Sequence, residues 1–288
     1  MKRFLILLAL SFLLTSCQSV PAEQAFDVGG TPTAPLLEGE TALVWEEEET
    51  EFGIRLTTKI ENPSTGAMLY TYLELPEGEA PYPMVMLLPG GTNSATEKFL
   101  DNEHTSNVLL ENDIAVAYFD PDGRGKSTGE ENSNGSDSQD GLYAITQAIM
   151  DTGHVDSEEM GLLSLSYGIS LATGMLARYS DTQPYEWYID WEGPSIFEDI
   201  SDDRDSSLSL AKITIPYWRI QGAKDHVQAT NEHAILAINT ATEGLSPWTR
   251  INDEDPNQSF TSENPPVYIP KRSQETAINS VFEFFEMY

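Results

Sequence analysis

Two hydrophobic patterns divide the chain beyond residue 40. Residues 41–77 alternate apolar and polar positions, with a turn sequence, NPSTG, between two of the runs. A period of two is typical of antiparallel strands with one face in water. After residue 80 the apolar runs become short and continuous, which indicates strands buried on both faces, as in a parallel sheet. These runs occupy residues 83–89, 114–120, 160–166, 186–191, 215–222 and 248–252.

Segments of helix length separate the continuous runs. The pattern predicts helices over 142–150 and 169–179. In a last helix, four residues share one face: Ile278, Val281, Phe282 and Phe285. Strands that alternate with helices predict a doubly wound α/β fold. We expect one α/β domain over residues 41–288, with a mostly parallel sheet of about eight strands and antiparallel strands on its N-terminal side.

The N-terminus has the pattern of an export signal. Lys2 and Arg3 precede an apolar run, residues 4–14, that is too short to span a bilayer. The sequence LTSC that follows resembles the lipobox of bacterial lipoproteins, and this resemblance implies cleavage before Cys17 and lipidation of its thiol. The alternative is an ordinary secretory signal in which Cys17 is a small residue. Cys17 is the only cysteine, so no internal disulfide can form.

The composition limits which partners the protein can bind, and the export signal predicts where it is located. The chain carries 15 Lys and Arg against 47 Asp and Glu, a formal net charge of −32. Nucleic acid is excluded as a partner, because phosphate binding needs a basic surface. We expect a signal peptide over 1–16, a lipidated tether rich in Pro, Gly and Ala over 17–40, and an exported protein on the periplasmic or cell-surface side. The lipid anchor would be its one contact with the membrane.

Ser166 occupies the position of a nucleophile. It ends the buried run at 160–166 and is followed by Tyr167, Gly168 and a helix. Hydrolytic serines of this kind lie on a tight strand-to-helix turn with small neighbours, in the pattern Gly-x-Ser-x-Gly. Here Ser164 replaces the first glycine, which is a small change in volume. The simpler alternative is a polar strand end that caps the following helix.

Two other strand ends supply what acyl transfer needs. Pro89-Gly90-Gly91-Thr92 follows the run at 83–89, and the N–H of Gly91 or Thr92, together with that of Tyr167, would stabilise an oxyanion. An ordinary Gly-Gly turn is the alternative. Asp225 follows the run at 215–222, where the acid of a catalytic triad would orient an imidazole. A loop or helix-capping aspartate is the alternative there.

Residues 41–288 resemble the α/β-hydrolase superfamily in the order of these motifs. YFDPDGRGKST at 118–128 is similar to the Asp-x-Arg-Gly-x-Gly-x-Ser segment of many members, although Lys126 and Ser127 follow Gly125 and the next glycine is missing. Ser-Tyr-Gly resembles the dienelactone hydrolase, BAAT-type acyl-transferase and prolyl-oligopeptidase-like branches. The resemblance implies hydrolysis of an ester, thioester or peptide-like acyl substrate, with no cofactor and no metal.

The histidine that the family places after the last strand is missing. Relatives would carry it at or near Pro256, but the chain has no histidine after residue 233. His226 is on the correct edge of the predicted sheet and would replace it, if Asp190 or another carboxylate were the acid. We expect His104 in the first helix, His154 at the opposite edge and His233 on a helix surface.

Two alternatives to catalysis remain open from the sequence. Without a base, Ser166 is a weak nucleophile, and the protein would be a degenerate hydrolase that binds a ligand or partner without turnover. Residues 120–131 also half-fit a calcium loop, with acids at relative positions one, three and twelve, but Arg124 occupies position five. A base within reach of Ser166 would discriminate the first alternative from an enzyme.

Lipidation of Cys17 is testable by intact mass. Protein from a bacterial host should lose residues 1–16 and gain the mass of acyl chains, because the lipobox directs both steps. Cys17→Ser should abolish the acyl mass. A wild-type product that is soluble and cleaved elsewhere would contradict the prediction.

Overall fold

The fold is built on one nine-stranded sheet. The computed structural model describes residues 43–91, 94–95, 104–195, 201–223, 230–270 and 274–287. Its strands are β1 (Glu46–Thr50), β2 (Gly53–Glu61), β3 (Met68–Pro76), β4 (Tyr82–Leu88), β5 (Ala115–Phe119), β6 (Val155–Leu165), β7 (Trp187–Trp191), β8 (Tyr217–Ile220) and β9 (Thr249–Ile251). The helices in these ranges are α1 (His104–Leu110), α2 (Ser136–Met150), α3 (Gly168–Arg178), α4 (Ser206–Leu210), α5 (Asn231–Glu243) and α6 (Gln274–Met287).

The strand order is β1-β2-β3-β5-β4-β6-β7-β8-β9. β1, β2 and β3 pair antiparallel, as β3 does with β5, whereas β5, β4 and the later strands are parallel. This confirms the predicted doubly wound α/β architecture, with nine strands rather than about eight. Residues Leu43–Tyr288 form one compact unit. β1 is an edge strand in which Glu46–Glu49 are exposed, and such charge discourages pairing with another chain.

Helices cover both faces of the sheet, which explains the continuous apolar runs. One core lies between the sheet and α2, α3, α4 and α5, and the other lies between the sheet and α1 and α6. All five residues of β5 and of β7 are buried. In β7, Trp187 faces the α6 side and stacks on Phe284 at 5.1 Å between ring centroids. Its ring occupies the space beside Gly161, where an added methyl would lie 1.9 Å from it.

Some predicted boundaries and faces were wrong. β6 begins at Val155 and α2 at Ser136, both before the apolar runs that predicted them. The hydrophobic pattern missed these starts because most residues there are polar. In α6 the fully buried positions include Ala277, Ile278, Val281 and Phe284, while Phe282 and Phe285 are half-buried. The buried stripe is therefore rotated toward Phe284, because that ring fills the space between Trp187 and Trp218.

Several predictions fall outside the described residues. They concern the signal peptide, the tether with Cys17, and the site candidates Thr92, Asp225 and His226. Within the ranges that the structure describes, none of the helices has the length and apolarity needed to cross a bilayer.

A buried ion pair joins β7 to β8. Asp190 and Arg219 are both fully buried and their side chains form a salt bridge. The carboxylate of Asp190 also accepts hydrogen bonds from the hydroxyl of Tyr217 (2.9 Å) and from the N–H of Gly193 (2.8 Å). Although burial alone would lower it, the charge of Asp190 holds the pKa of Arg219 above its ordinary value. Asp190 is thus an internal strand residue whose carboxylate is engaged with Arg219, whereas His226, which it was expected to support, lies outside the described residues.

Neutralising Asp190 should destabilise the fold strongly. Asp190→Asn leaves the charge of Arg219 buried without its counterion, and we expect a loss of about 3–5 kcal/mol in the free energy of unfolding. Urea denaturation measures this. Glu283→Gln is the matched control, because Glu283 pairs with Arg250 at 3.5 Å on the surface and such pairs contribute about 1 kcal/mol or less. Equal losses in the two variants would contradict the prediction.

Candidate active site

Ser166 lies on the tight turn between β6 and α3. Its φ is +52°, in the left-handed region that non-glycine residues rarely adopt, and its exposed fraction is 7 %. Its backbone N–H donates a hydrogen bond to the carbonyl of Trp191 (2.9 Å), which ties the turn to the end of β7. Strained backbone of this kind clusters at functional sites and lifts a serine hydroxyl clear of the main chain.

Two glycines allow residues 89–91 to lie against this turn. A methyl group on Gly90 would be 2.9 Å from Cβ of Ser166, and one on Gly168 would be 2.9 Å from the carbonyl oxygen of Pro89. Side chains at these positions would push the two segments apart. Gly91 follows with φ +62°, and none of the described residues lies within 4 Å of a methyl group placed on it. The structure therefore brings Gly91, Ser166 and Tyr167 together, whereas Thr92 lies outside the described residues.

Ser164 fits where the usual pattern has glycine. It is fully buried, and its hydroxyl forms a 2.7 Å hydrogen bond with the hydroxyl of Tyr188. A methyl on Gly168 would lie 3.3 Å from Cβ of Ser164, so the two positions share a tight space. The extra atoms of Ser164 are accommodated because its polar atom turns toward β7 and because Gly168 has no side chain.

Arg124 and Asn134 connect the two sides of the site. The guanidinium of Arg124 donates to the carbonyl of Gly91 (3.3 Å) and to Oδ1 of Asn134 (2.8 Å), and Nδ2 of Asn134 donates to the carbonyl of Tyr167 (2.8 Å). Both side chains are buried. Glu131 forms a salt bridge with Arg124 and balances its charge. The arginine of the segment at 118–128 thus orients backbone on either side of Ser166, a role the sequence alone did not reveal.

The three acids of the half-matched calcium loop serve other partners. Asp120 accepts from the N–H groups of Ala95 (2.8 Å) and Lys126 (2.9 Å), and Asp122 accepts from Asn62 (3.0 Å) and Thr65 (2.7 Å). Glu131 is bound to Arg124. These contacts stabilise the turn. Among the described residues no group of three potential metal ligands is found.

The histidines within the described residues lie at different ends of the strands. The carbonyl of His154 accepts from the N–H of Tyr82, the first residue of β4, which places His154 at the predicted opposite edge. α1 begins at His104. His233 lies in the first turn of α5, and its carbonyl accepts from the hydroxyl of Ser195 beyond β7 (3.1 Å). His233 thus lies on a helix, as predicted, but it is half-buried and its Nδ1 is shielded from solvent.

The loop after β9 turns away from the carboxyl ends of the strands, where Ser166 lies. Asn257 has φ +60°, and its N–H and Oδ1 bond the backbone of Thr249, the first residue of β9 (both 2.8 Å). Phe260 then bonds Asn239 in the middle of α5. Pro256 itself is exposed. In this chain the loop in which relatives would carry the histidine packs along β9 and α5.

Glu192 is a buried acid that the sequence analysis did not identify. It follows the last residue of β7, its exposed fraction is 0 %, and its φ is +54°. Oε1 of Glu192 accepts a hydrogen bond from the N–H of Gly222 (2.9 Å), just beyond β8. The available signal was a charged residue directly after the buried run WYIDW. Asp225 and His226, the predicted acid and base, lie outside the described residues.

Solved structures share this fold. An esterase from Pyrococcus furiosus superposes with a TM-score of 0.61 at 14% identity, over 85% of this chain and 93% of that chain. An acetyl xylan esterase from Thermoanaerobacterium gives 0.61 at 12% identity, over 86% and 89% of the two chains. An α/β serine hydrolase without a lid from Xanthomonas campestris gives 0.56 at 16% identity, over 81% and 94%. The chain therefore has the α/β-hydrolase fold.

Sequence comparison adds no closer relative. No protein-family model matches the chain. No curated protein matches it either. The similarity is one of backbone architecture, so conclusions about chemistry depend on the residues of the site.

Removing the side chain of Asn134 should destabilise the connection between the two segments. Asn134→Gly deletes two hydrogen bonds of a buried side chain, and glycine accepts the φ of +64° at this position. We expect a loss of about 1–3 kcal/mol in the free energy of unfolding. Ser133→Gly is the matched control, because the neighbouring residue also has a positive φ, +56°. Urea denaturation that shows no difference between the two variants would contradict the role of Asn134.

Proposed function

We propose that this protein is a serine hydrolase that cleaves an ester, thioester or peptide-like acyl bond. The observation that carries the proposal is the strained, nearly buried Ser166 on a turn that residues 89–91 approach without side chains between them. Nucleophilic serines need such a turn, and backbone N–H groups beside it are needed for a developing oxyanion.

The proposed reaction has two halves. The Oγ of Ser166 attacks the acyl carbon while its proton passes to an imidazole, and the carbonyl electrons move onto oxygen. The N–H of Tyr167 and that of Gly91 or Thr92 would stabilise this oxyanion. The protonated imidazole then donates its proton to the leaving group as the acyl bond breaks. Water repeats the sequence on the acyl-enzyme and regenerates Ser166.

The base in this proposal is His226. It follows Gly222 by four residues, and Gly222 lies at the end of β8, on the same edge of the sheet as Ser166. His233 is the alternative, because the first turn of α5 begins at that edge and the imidazole is half-buried. His154 is unsuitable, since it lies at the opposite edge.

The substrate in this proposal is a small acyl ester, and the enzyme is an exported lipoprotein. The structural neighbours include an esterase, an acetyl xylan esterase and a serine hydrolase, which supports ester chemistry as the first class to test. Location outside the cytoplasm rests on the export signal and Cys17.

A protein that binds without turnover is the second candidate. The observation that favours it is the loop after β9, which contains no histidine and is bonded to Thr249 and Asn239. In that case the tight turn at Ser166 would shape a binding site, and Ser166 would not form a covalent intermediate.

Labelling with a fluorophosphonate probe discriminates the two candidates. The enzyme proposal predicts one label per chain and hydrolysis of a p-nitrophenyl acyl ester, both lost in Ser166→Ala. Ser170→Ala is the matched control, because Ser170 is buried in α3, the helix that follows Ser166, and its hydroxyl has no hydrogen-bond partner within the described residues. Wild-type protein that neither reacts with the probe nor hydrolyses the ester would favour binding without turnover.

Replacing each candidate base identifies the one that acts. His226→Gln should lower the rate about 10²–10⁴-fold, the usual contribution of general-base assistance. His233→Gln is measured in parallel with the same ester and probe. If His233→Gln loses activity while His226→Gln remains active, the general base is His233.

A further inference from the structure

A cleft of about 540 Å³ opens at the amino ends of the parallel strands, opposite Ser166. It lies where β4 begins, against the turn that joins β1 to β2 and the chain that follows β3. β4 runs from Tyr82 at this cleft to Leu88, which pairs with Ser164, and its seven residues span about 20 Å at about 3.3 Å per residue. Ligand pockets have volumes of about 300–1,000 Å³, so the cleft is large enough for a small molecule and is separate from the candidate active site.

Much of the cleft has an apolar lining. Its apolar residues are Ile54, Leu75, Pro76, Ala80 and Tyr82. Leu75 and Tyr82 are buried, whereas Ile54 is 40 % exposed although its side chain is large and apolar. An apolar group of a ligand that contacts this surface would remove it from water, which is favourable.

The hydroxyl of Tyr82 distinguishes this cleft from an ordinary surface depression. The residue is only 8 % exposed, and its hydroxyl has no hydrogen-bond partner among the described residues. A methyl group on Gly78, which also lines the cleft, would lie 3.5 Å from this hydroxyl. The hydroxyl is therefore aimed into the cleft, and the glycine leaves it uncovered.

Buried tyrosine hydroxyls ordinarily bond a polar group of the protein. Four others in this sheet and its helices do so with a neighbouring side chain: Tyr118, Tyr185, Tyr188 and Tyr217. Tyr82 departs from this pattern at a place where a ligand can reach it. A bound molecule with a polar group would supply the partner.

The polar groups of the cleft accept hydrogen bonds and attract positive charge. Glu49, Glu77 and His154 line it, and no lysine or arginine occurs among the described residues of its lining. The ring of His154 forms no hydrogen bond within the described part of the chain. Ionised carboxylates only accept hydrogen bonds, and a phenol oxygen or a neutral imidazole nitrogen can also accept one. The matching ligand group is a cation that carries N–H donors.

The potential at Tyr82 agrees with this charge. Burial and the nearby carboxylates of Asp113 and Glu79 raise the pKa of the Tyr82 hydroxyl above its ordinary value. The chain is acidic throughout, but here negative charge coincides with an apolar wall and with a buried hydroxyl that faces the cleft. Such a combination of a mostly apolar lining and a few convergent polar groups is typical of a ligand site.

We propose that this cleft binds a small ammonium compound that carries an apolar group. The apolar group lies against Ile54 and Leu75, and the ammonium group donates hydrogen bonds to the hydroxyl of Tyr82 and to a carboxylate of the cleft. Binding is noncovalent. It is also independent of the chemistry proposed for Ser166, because the two sites lie at opposite ends of β4.

Benzylammonium is the probe that tests the class of ligand. Isothermal titration calorimetry of the full-length protein should show saturable binding of one benzylammonium per chain. Benzyl alcohol, which has no charge, and benzoate, whose charge is negative, should bind more weakly. Measurement at physiological ionic strength screens attraction to distant carboxylates of this acidic chain. The proposal is overturned if benzylammonium does not saturate, or if either of the other compounds binds as tightly.

Histidine NMR locates the bound probe. Benzylammonium should shift the ring signal of His154, which is assigned with His154→Gln, and the midpoint should equal the Kd from calorimetry. The signals of the other three histidines should not change. Saturable binding that leaves the signal of His154 in place would put the ligand elsewhere and overturn the proposal.

Two variants test the polar groups, and Glu283→Gln is their matched control. Tyr82→Phe removes only the hydroxyl and should weaken benzylammonium binding about two- to tenfold. Glu77→Gln should weaken it about two- to fivefold, because Glu77 is exposed and such charges contribute modestly. Glu283→Gln removes the same charge beside Arg250 of β9, at the far edge of the sheet, and should bind like the wild type.

The same comparison can overturn the proposal. Wild-type affinity in Tyr82→Phe would mean that the hydroxyl does not meet the ligand. Equal weakening in Glu77→Gln and Glu283→Gln would mean that the net charge of the chain, rather than this cleft, attracts the probe.

Discussion

The close approach of backbone around Ser166 is the constraint on which the rest of the site depends. Gly90 can lie against Cβ of Ser166 only because it has no side chain of its own. The positive φ of Ser166 turns the chain sharply from β6 into α3 and leaves its N–H directed at Trp191. If either backbone segment moved by the width of a methyl group, the close contact between Gly90 and Ser166 would be lost.

Buried polar contacts maintain that approach from two directions. Arg124 and Asn134 attach to carbonyls on either side of Ser166. Asp190 and Arg219 lie across β7 and β8 and bond the backbone of Gly193 through both partners. Such groups are expensive to bury, so each is matched by charge and hydrogen bonds. The stability of the site is therefore inseparable from that of the sheet beneath it.

The order of the strands decides which residues meet. β4, β6, β7 and β8 are neighbours, so Gly91, Ser166, Glu192 and Gly222 follow four consecutive strand ends although they are far apart in sequence. Ligands of open α/β sheets bind beyond these carboxyl ends. β9 is at the far edge, and its following loop is occupied by packing against α5.

The sequence by itself determined the architecture, because apolar periodicity reports burial directly. Continuous runs predicted buried parallel strands, alternation predicted the antiparallel entry, and Ser166 with Gly168 marked the strand-to-helix turn. Only the tertiary structure decided where side chains point. Asp190 faces Arg219, Phe284 fills the gap beside Trp187, and Glu192 is buried just after the last residue of β7. These outcomes depend on neighbours distant in sequence, which local patterns do not encode.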